Sequence, residues 1–581
     1  MKDFVKMTLA VICGIFITSI VTFILSLGFI GSLAAAGSIQ PTLPKSGILK
    51  LDMSKMVILE QGKPDDPFSK LQGGDIQSIG LLKAVKAINA AAEDPAIKCI
   101  YILPDNSSTG MATLQEFRKA LENFRSSGKP IVAYTENTST GGYYLASVAD
   151  KIYMTSCEGG MAMMTGVSSQ LIFLKDLLDK LGINMQLIRH GKYKSAGEMY
   201  IRNSASEENL RQTQELVDAL WSSIAGEIAR SRDISVEALD AAIDNLTLCT
   251  PEDFVKESLV DELVSREQLQ DKLASLAVVE KFKDVKMISL NEYASAKVLP
   301  SKAKQKIAII YADGEIVDGS QKQEVAGDRF ASEIAKVRAD SSVKAVVLRV
   351  NSPGGSVLAS EKIKSELDLL KAEKMLVASY GGYAASGGYW ISNNCEKIFS
   401  DATTITGSIG VFSMIPDFSK AAHDIAHVNI TTVSSNRHGD MLGGFRPLDN
   451  DELAYMQRSV EVIYDKFTEI VSEGRGLDKD YVDEIGQGRV WAGSDALEIG
   501  LVDEIGTLED AIHWTAVAAG ESDLTKWEIA EYPAPTSAFE DILTMFGGMK
   551  DDDASVLFEQ LRRSRKAVHL ATLPYEIRLN F

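Results

Sequence analysis

Short apolar runs alternate with helical patterns along the second half of the chain. Residues 306–311 and 345–350 are almost continuously apolar, which is typical of strands buried on both faces of a parallel sheet. Residues 359–372 have apolar positions at helical spacing, and residues 376–379 return to a strand pattern. This alternation predicts an α/β fold with a mainly parallel sheet covered by helices.

The pattern of the second half repeats a pattern of the first half. Five segments recur in the same order, four at offsets near 246 residues and the last at 242: 96–102, 130–134, 140–144, 151–153 and 258–262. A repeat of this length indicates a duplicated domain rather than a solenoid. We predict a first repeat at 46–285, a linker at 286–302, a second repeat at 303–520 and a C-terminal extension at 521–581. Within the extension, residues 573–578 are predicted as a strand or a docking tail.

An uncharged segment precedes the first repeat. No charged residue lies between Lys6 and Lys45, and residues 7–33 are nearly all apolar. As a helix, 7–33 would be about 40 Å long, enough to cross a hydrocarbon layer of ~30 Å. The alternative is a cleaved signal peptide with a small-residue site at 34–36, but such apolar regions usually have only ~7–15 residues. We predict that residues 1–45 are a cytoplasmic stub and a retained transmembrane anchor, with the rest of the chain exported.

Composition narrows the classes of function. The 581 residues include 60 Lys and Arg against 80 Asp and Glu, a net charge of −20. A nucleic-acid partner is not expected, because phosphate binding needs a basic surface and no Lys/Arg-rich stripe is present. The five cysteines are scattered without CxxC spacing and HExxH is absent, so neither a disulfide scaffold nor a metal site is predicted.

Two glycine-rich turns of the second repeat carry candidate chemistry. NSPGG at 351–355 follows a strand and precedes a helix, where backbone N–H groups can stabilise an oxyanion. AASGGYW at 384–390 surrounds Ser386 with small residues, which leaves its hydroxyl open to a substrate carbonyl. We predict that the N–H groups of Gly355 and Gly387 form an oxyanion hole. Taken alone, the first turn also fits a plain tight turn, and the second fits close helix packing.

The chain resembles the signal peptide peptidase A family in its long, duplicated, membrane-anchored form. The resemblance is carried by these two turns, by TGSIG at 406–410, by GKYKSA at 191–196 and by GRVW at 488–491. The resemblance covers roughly residues 45–520 and the anchor. It implies two tandem domains of the crotonase/caseinolytic-protease superfold after an N-terminal transmembrane helix. It also implies a serine endopeptidase without cofactor or metal, assembled as a homotetramer. The implied substrates are cleaved signal peptides and other apolar peptides at the outer side of the cytoplasmic membrane.

The same resemblance implies a serine–lysine dyad. Ser386 would be the nucleophile, Lys194 the general base and Ser408 the residue that orients the lysine. A lysine with the ordinary pKa of about 10.4 is protonated at neutral pH, so the base must be buried to lose its charge. Spacing alone does not rank Lys194 above Lys192, and either one also fits a solvated surface lysine; the family pattern selects Lys194.

The two repeats differ at the positions that a dyad needs. Thr140 stands where the second copy has Ser386, and DNSST at 105–109 replaces the NSPGG turn. The second-copy segment that corresponds to Lys194 falls near 439–440 and has no lysine. Because these losses are complementary, we hypothesise one composite site built from both repeats, either within a chain or between neighbouring subunits.

Three alternatives remain open. A Ser–His–Asp triad would use a histidine and an aspartate downstream of the serine, from the set His423, His427, His438, Asp424 and Asp440. The amphipathic stretch at 418–426 suggests surface positions for two of these histidines, His423 within it and His427 directly after it. A crotonase-like acyl-CoA enzyme is disfavoured by the expected export, and a noncatalytic membrane scaffold by the retained serine, lysine and glycine turn.

Overall fold

The computed structural model describes residues 43–62, 76–160, 162–321, 324–534, 570–572 and 579–580, with positions 14, 18 and 21. Apart from those three positions, the predicted anchor at 7–33 lies outside the described residues, as does the predicted tail at 573–578. Among the helices that the structure describes, none combines the length and apolar character needed to cross a bilayer.

The first repeat is built on a parallel sheet. Its strands are β1 (Gly47–Asp52), β2 (Met56–Leu59), β3 (Gln77–Gly80), β4 (Ile97–Leu103), β5 (Ile131–Thr135), β6 (Lys151–Thr155), β7 (Ser168–Ser169), β8 (Asn184–His190), β9 (Glu262–Val264) and β10 (Met287–Ser289). Its helices are α1 (Leu81–Glu93), α2 (Met111–Arg125), α3 (Thr140–Ala146), α4 (Lys175–Lys180), α5 (Glu198–Ile201), α6 (Glu207–Arg232), α7 (Val236–Asp244), α8 (Pro251–Lys256), α9 (Arg266–Leu276) and α10 (Leu290–Lys297), with a 3₁₀ turn at Phe282–Asp284. Six strands pair in the order β10-β1-β4-β5-β6-β9, all parallel.

The second repeat is built in the same way. Its strands are β11 (Gln305–Asp313), β12 (Ile316–Val317), β13 (Val325–Ala326), β14 (Val343–Ser352), β15 (Gly354–Ser356), β16 (Met375–Ala385), β17 (Ile398–Ser400), β18 (Ile405–Gly407), β19 (Val411–Asp417), β20 (Val490–Ala492), β21 (Glu504–Ile505) and β22 (Trp527–Tyr532). Its helices are α11 (Gly327–Ala339), α12 (Val357–Glu373), α13 (Gly387–Ser392), α14 (Asn450–Arg475), α15 (Lys479–Ile485), α16 (Gly493–Glu498) and α17 (Leu508–Ala518), with a π-helical turn at Ala421–Ile425 and a 3₁₀ turn at Leu524–Lys526. The sheet order is β20-β18-β16-β14-β11-β22, with β17 also paired to β16 and β21 paired to β17. The short strands β23 (Leu570–Thr572) and β24 (Leu579–Asn580) follow near the C-terminus.

The predicted elements of the second repeat are confirmed. The apolar runs at 306–311, 345–350 and 376–379 lie in β11, β14 and β16, which pair in parallel in the order β16-β14-β11. The helical pattern at 359–372 lies in α12, which buries Ile363, Leu367 and Leu370 against the sheet. The α/β class therefore follows directly from the hydrophobic pattern.

Much of the predicted linker at 286–302 has regular structure. Strand β10 pairs with β1 at the edge of the first sheet. Helix α10 begins at a capping box formed by Ser289 and Glu292, and it buries Leu290 and Tyr293. The domain boundaries stay a prediction. Strand β10 is an edge strand of the first sheet, and α10 packs against the core of the first repeat.

A third sheet joins the two repeats. Strand β8 of the first repeat pairs antiparallel with β19 of the second along seven residues, from Asn184 to His190. The full order is β13-β12-β15-β23-β19-β8, so β23 lies between two strands of the second repeat. Helix α6 of the first repeat adds a second contact, because Leu216 and Leu220 pack against Ala385 and Ile405. The loop after β8 is thereby held against the carboxyl ends of β16 and β18.

Candidate active site

Ser386 lies at the sharp junction between β16 and α13. Its φ of 56° and ψ of −112° are unusual for a residue with a side chain, and such a conformation costs on the order of 1–3 kcal/mol. Backbone hydrogen bonds hold the junction, since Ser386 N–H donates to the carbonyl of Gly407 at 2.8 Å and Trp390 N–H donates to the carbonyl of Ser386 at 2.8 Å. The neighbouring glycines admit the close packing, because a Cβ on Gly388 would lie 2.7 Å from the carbonyl oxygen of Ser352.

Lys194 reaches this serine from the other repeat. It lies in the loop that follows β8, and its Nζ is 2.8 Å from Ser386 Oγ. The same Nζ lies 2.9 Å from Ser408 Oγ and 3.3 Å from the carbonyl oxygen of Ser408. All three side chains are completely buried. The predicted serine, lysine and second serine therefore meet within one chain, at the contact between the repeats.

Burial sets the charge state of this lysine. The pKa of Lys194 lies well below its ordinary value, because water is excluded from the amine. Its hydrogen-bond partners among the described residues are uncharged oxygen atoms rather than carboxylates. Nothing in its hydrogen bonding therefore offsets the cost of an ammonium ion, and the neutral amine is favoured.

The lysine loop is clamped from several sides. Arg189 of β8 donates to the carbonyl of Lys194 at 2.7 Å. Gln212 of α6 donates to the carbonyl of Tyr193 at 3.0 Å, just before the lysine. On the second repeat, a Cβ on Gly488 would lie 2.5 Å from the Cβ of Lys194. A glycine is therefore required at 488 for the loop to come this close, and its φ of +78° is one that glycine adopts freely.

The glycine turn NSPGG lies beside this group. Strand β15 carries Gly354 and Gly355, and a Cβ on Gly355 would lie only 1.9 Å from the carbonyl oxygen of Ile316 on the paired strand β12. Gly355 also has a φ of +156°, which residues with side chains rarely adopt. The turn packs against the start of α13 through Ser352, so both predicted N–H donors, those of Gly355 and Gly387, lie on elements that meet at the serine.

Strand β23 lies in the gap between β15 and β19. Its residues pair antiparallel with the glycine turn: Gly354 with Thr572, Gly355 with Ala571 and Ser356 with Leu570. Leu570 also pairs with Phe412 of β19, and β23 contacts α13. The gap next to Ser386 thus accommodates an extended backbone between two strands.

The other candidate bases lie elsewhere. Lys192 is exposed, with its Nζ 5.2 Å from the centre of the Tyr193 ring. His423, His427 and His438 are all exposed, and within the described ranges none of them forms a hydrogen bond with Ser386. His423 instead contacts Asp424, and His438 contacts Glu452. The geometry gives no support to the Ser–His–Asp alternative.

Comparison with known proteins identifies the family of this chain. The sequence model of peptidase family S49 matches residues 123–280 and 368–521, one segment in each repeat and more than half of the chain together. The chain belongs to peptidase family S49. Protease 4 of Haemophilus influenzae is 35% identical over 514 residues, which cover 84% of this chain and 82% of that protein. The chloroplastic serine protease SPPA of Arabidopsis thaliana is 30% identical over 469 residues, or 79% of this chain and 68% of that protein.

These matches confirm the resemblance, the duplication and a serine-type peptidase activity. Among solved structures, a ClpP1 mutant from Listeria monocytogenes is 15% identical with a TM-score of 0.25, covering 35% of this chain and 94% of that chain. A score this low does not establish a common fold, so the assignment to the caseinolytic-protease superfold stays a prediction beyond the α/β class.

Proposed function

We propose that this S49 peptidase is an endopeptidase with a Ser386–Lys194 dyad that degrades cleaved signal peptides and other apolar peptides. It acts at the outer side of the cytoplasmic membrane, anchored by residues 1–45, and assembles as a homo-oligomer. The observation that carries the proposal is the 2.8 Å approach of a fully buried Lys194 Nζ to Ser386 Oγ.

In the proposed mechanism the neutral amine of Lys194 takes the proton of Ser386 as Oγ attacks the scissile carbonyl. Ser408 holds the amine in line with the serine. The N–H groups of Gly355 and Gly387 donate to the oxyanion of the tetrahedral intermediate. The lysine ammonium then protonates the leaving amine, and the acyl-enzyme is hydrolysed by a water molecule that Lys194 deprotonates in turn.

The substrate is bound as a β-strand. The position of β23 between β15 and β19 supports this mode, because it places an extended backbone beside the serine with a strand on each side. Backbone hydrogen bonds to both neighbours supply affinity that does not depend on sequence, and apolar contacts select the side chains. Such a site suits an extended apolar peptide better than a folded protein.

The proposal is tested with the full-length protein in detergent micelles and a synthetic signal peptide as substrate. Wild-type protein should cleave the peptide and be labelled at Ser386 by a fluorophosphonate probe, whereas Ser386→Ala should do neither. His438→Ala serves as the control and should cleave at the wild-type rate. Cleavage that persists in Ser386→Ala, or that is lost in His438→Ala, contradicts the dyad.

Removing residues 569–581 should lower KM for short peptides without lowering kcat. Strand β23 occupies the gap proposed for the substrate. When a substrate can bind only to sites from which β23 is absent, its apparent Kd equals the intrinsic Kd divided by the fraction of open sites. If the tail fills nine-tenths of the sites, KM should fall about tenfold. Steady-state kinetics on a short apolar peptide measure the change.

A full-length variant, Ala571→Pro, controls for the loss of chain length, because proline lacks the backbone N–H that a strand needs for pairing. It should lower KM in the same direction as the truncation. Unchanged KM in both variants would show that β23 does not compete with substrate.

A further inference from the structure

A buried ionic cluster lies at the contact between the repeats, away from the serine and the lysine. Its centre is Arg349 of β14, which is completely buried. Its Nε donates to Glu60 at 2.7 Å and its Nη2 donates to Glu116 of α2, both from the first repeat. Within its own repeat, Arg349 Nη1 donates to Ser379 Oγ at 2.8 Å.

Asp401 completes the cluster as a third carboxyl group. It is only 3% exposed, and its Oδ2 is buried without a hydrogen-bond partner among the described residues. The carboxyl group of Glu116 is close enough to act on its charge, and Thr403 donates a hydrogen bond to Gln115, the residue before Glu116. A bare carboxylate oxygen beside a second carboxylate, both out of water, is stable only when a proton lies between them. If all three carboxyl groups were ionised, the single guanidinium would leave the buried cluster with a net charge of −2, which favours protonation of a carboxyl group.

Both carboxyl groups respond to this environment in the expected direction. Burial raises the pKa of Asp401 well above its ordinary value, and the nearby Glu116 raises it further. Burial also raises the pKa of Glu116, although Arg349 opposes the change. The proton therefore belongs to the pair rather than to either residue.

The cluster lies at the base of the elements that carry the site. Strand β14 continues from Arg349 into the NSPGG turn, and β16 continues from Ser379 to Ala385, directly before Ser386. The segment after Asp401 continues through β18 to Ser408. Glu116 belongs to the repeat that supplies the lysine, and its second oxygen accepts a hydrogen bond from the N–H of Leu508 at 2.7 Å. A change in the charge of the cluster thus bears on how the two halves of the site meet.

We propose that the proton shared by Glu116 and Asp401 locks the two repeats in register, and that its loss at alkaline pH separates the lysine from the serine. Glu116 and Asp401 are positioning residues, since they touch neither the serine nor the lysine. The inference rests on the composite site of the proposed function. When the shared proton leaves, two adjacent negative charges repel each other in a site without water, and they belong to different repeats.

Three other titratable groups face the cluster from neighbouring elements: Tyr144 of α3, Tyr311 of β11 and Glu509 of α17. Burial raises the pKa of both tyrosines well above the ordinary value, so they stay uncharged over the range to be tested. Glu509 hydrogen-bonds to Asn89 and has its pKa raised by burial. Of the carboxyl groups, only Asp401 has an unpartnered oxygen within the described ranges that faces Glu116.

The test is the pH profile of kcat for wild type and Asp401→Asn, measured on the same signal peptide. The kcat of wild type should rise with pH as Lys194 loses its proton. At higher pH it should fall about tenfold per pH unit as the carboxyl pair loses the shared proton. Asparagine keeps a donor toward Glu116 but cannot ionise, so Asp401→Asn should lose the fall while keeping the rise. Asp495→Asn is the matched control; burial raises the pKa of that aspartate too, but its charged neighbours are Glu498, Arg489 and Glu215. It should leave the fall in place.

A second measurement does not depend on activity. A carboxyl group whose pKa rises on folding binds more protons in the folded chain, so the free energy of unfolding falls as pH rises from about 4 toward the folded pKa. Asp401→Asn lacks this loss, and its melting temperature should gain on that of wild type as pH rises.

The outcomes separate the two proposals. Absent hydrolysis by wild type at every pH would defeat the proposed function but leave the melting comparison intact. A wild-type profile without an alkaline fall, an equal fall in Asp401→Asn, or a constant melting difference would each overturn the lock.

Discussion

Lys194→Met is expected to reduce kcat for peptide hydrolysis by at least about 10⁴-fold, because the serine loses the base that accepts its proton. Methionine retains a flexible apolar chain of similar length, so the buried space left by the lysine stays filled. The measurement is steady-state cleavage of a signal peptide, with the fraction of folded protein checked by circular dichroism. Lys192→Met is the matched control two residues away; its side chain is exposed, and it should keep the wild-type rate.

The same variant should be more stable than wild type at neutral pH. A lysine whose pKa falls on folding binds fewer protons in the folded chain than in the unfolded chain. The free energy of unfolding therefore rises with pH until the unfolded pKa of about 10.4 is passed, and at neutral pH the lysine weakens the fold. The stability advantage of Lys194→Met should shrink as pH approaches 10.4. An inactive variant with higher stability separates a catalytic loss from misfolding; full activity would refute the dyad.

The hydrophobic pattern is sufficient to predict β11, β14 and β16, three paired strands of the second repeat, but not the sheet that joins the repeats. Strand β8 pairs with β19 across a large distance in sequence, and neither strand has a pattern that names its partner. Its pairing is decided by where the two domains meet, which is a property of tertiary structure. The hypothesis of a composite site therefore leaves open whether it forms within a chain or between chains, and in the structure Lys194 Nζ lies 2.8 Å from Ser386 Oγ of the same chain.

For the site, the sequence points to the candidate reactive groups more clearly than to the residues that hold them. Ser386 was recognisable from the small residues around it, and Lys194 from the family motif. No sequence signal marks Gln212, which is buried, or Arg189, which is half-buried, because a polar residue that holds a loop looks the same in sequence as one that faces solvent. Gly488 does have a sequence signal, because a glycine next to the strand that contains Trp491 indicates close approach of another backbone. The sequence does not show that this backbone is the loop of Lys194.

The cluster around Arg349 was hidden for a related reason. An arginine inside an otherwise apolar strand was visible in the sequence at 345–350, and such a residue needs buried partners. Its partners Glu60 and Glu116 lie more than 230 positions away in the other repeat. At the positions that correspond to Arg349 and Asp401, the first repeat has Leu103 and Thr155, neither of which carries a charge. The asymmetry between the copies therefore extends beyond the reactive groups to their support.

Gly355→Ala is expected to lower kcat by about 10²–10³-fold, the usual effect of losing one oxyanion-hole donor. A Cβ at this position would lie 1.9 Å from the carbonyl oxygen of Ile316, so β15 must move away from β12 to admit it. The φ of +156° adds backbone strain for any residue with a side chain. Both effects shift the N–H that is proposed to face the oxyanion, and a shift of about 1 Å is enough to weaken the donor.

The measurement is kcat and KM on a signal peptide for Gly355→Ala beside Gly226→Ala. Gly226 lies within α6 with open space around it, where alanine improves helix propensity by about 1 kcal/mol. The control should keep the wild-type kcat and melt slightly higher. In Gly355→Ala the fall should be in kcat more than in KM, since the oxyanion forms only in the transition state. Wild-type kcat in a folded Gly355→Ala protein would mean that the oxyanion is stabilised elsewhere, and would remove the NSPGG turn from the proposed mechanism.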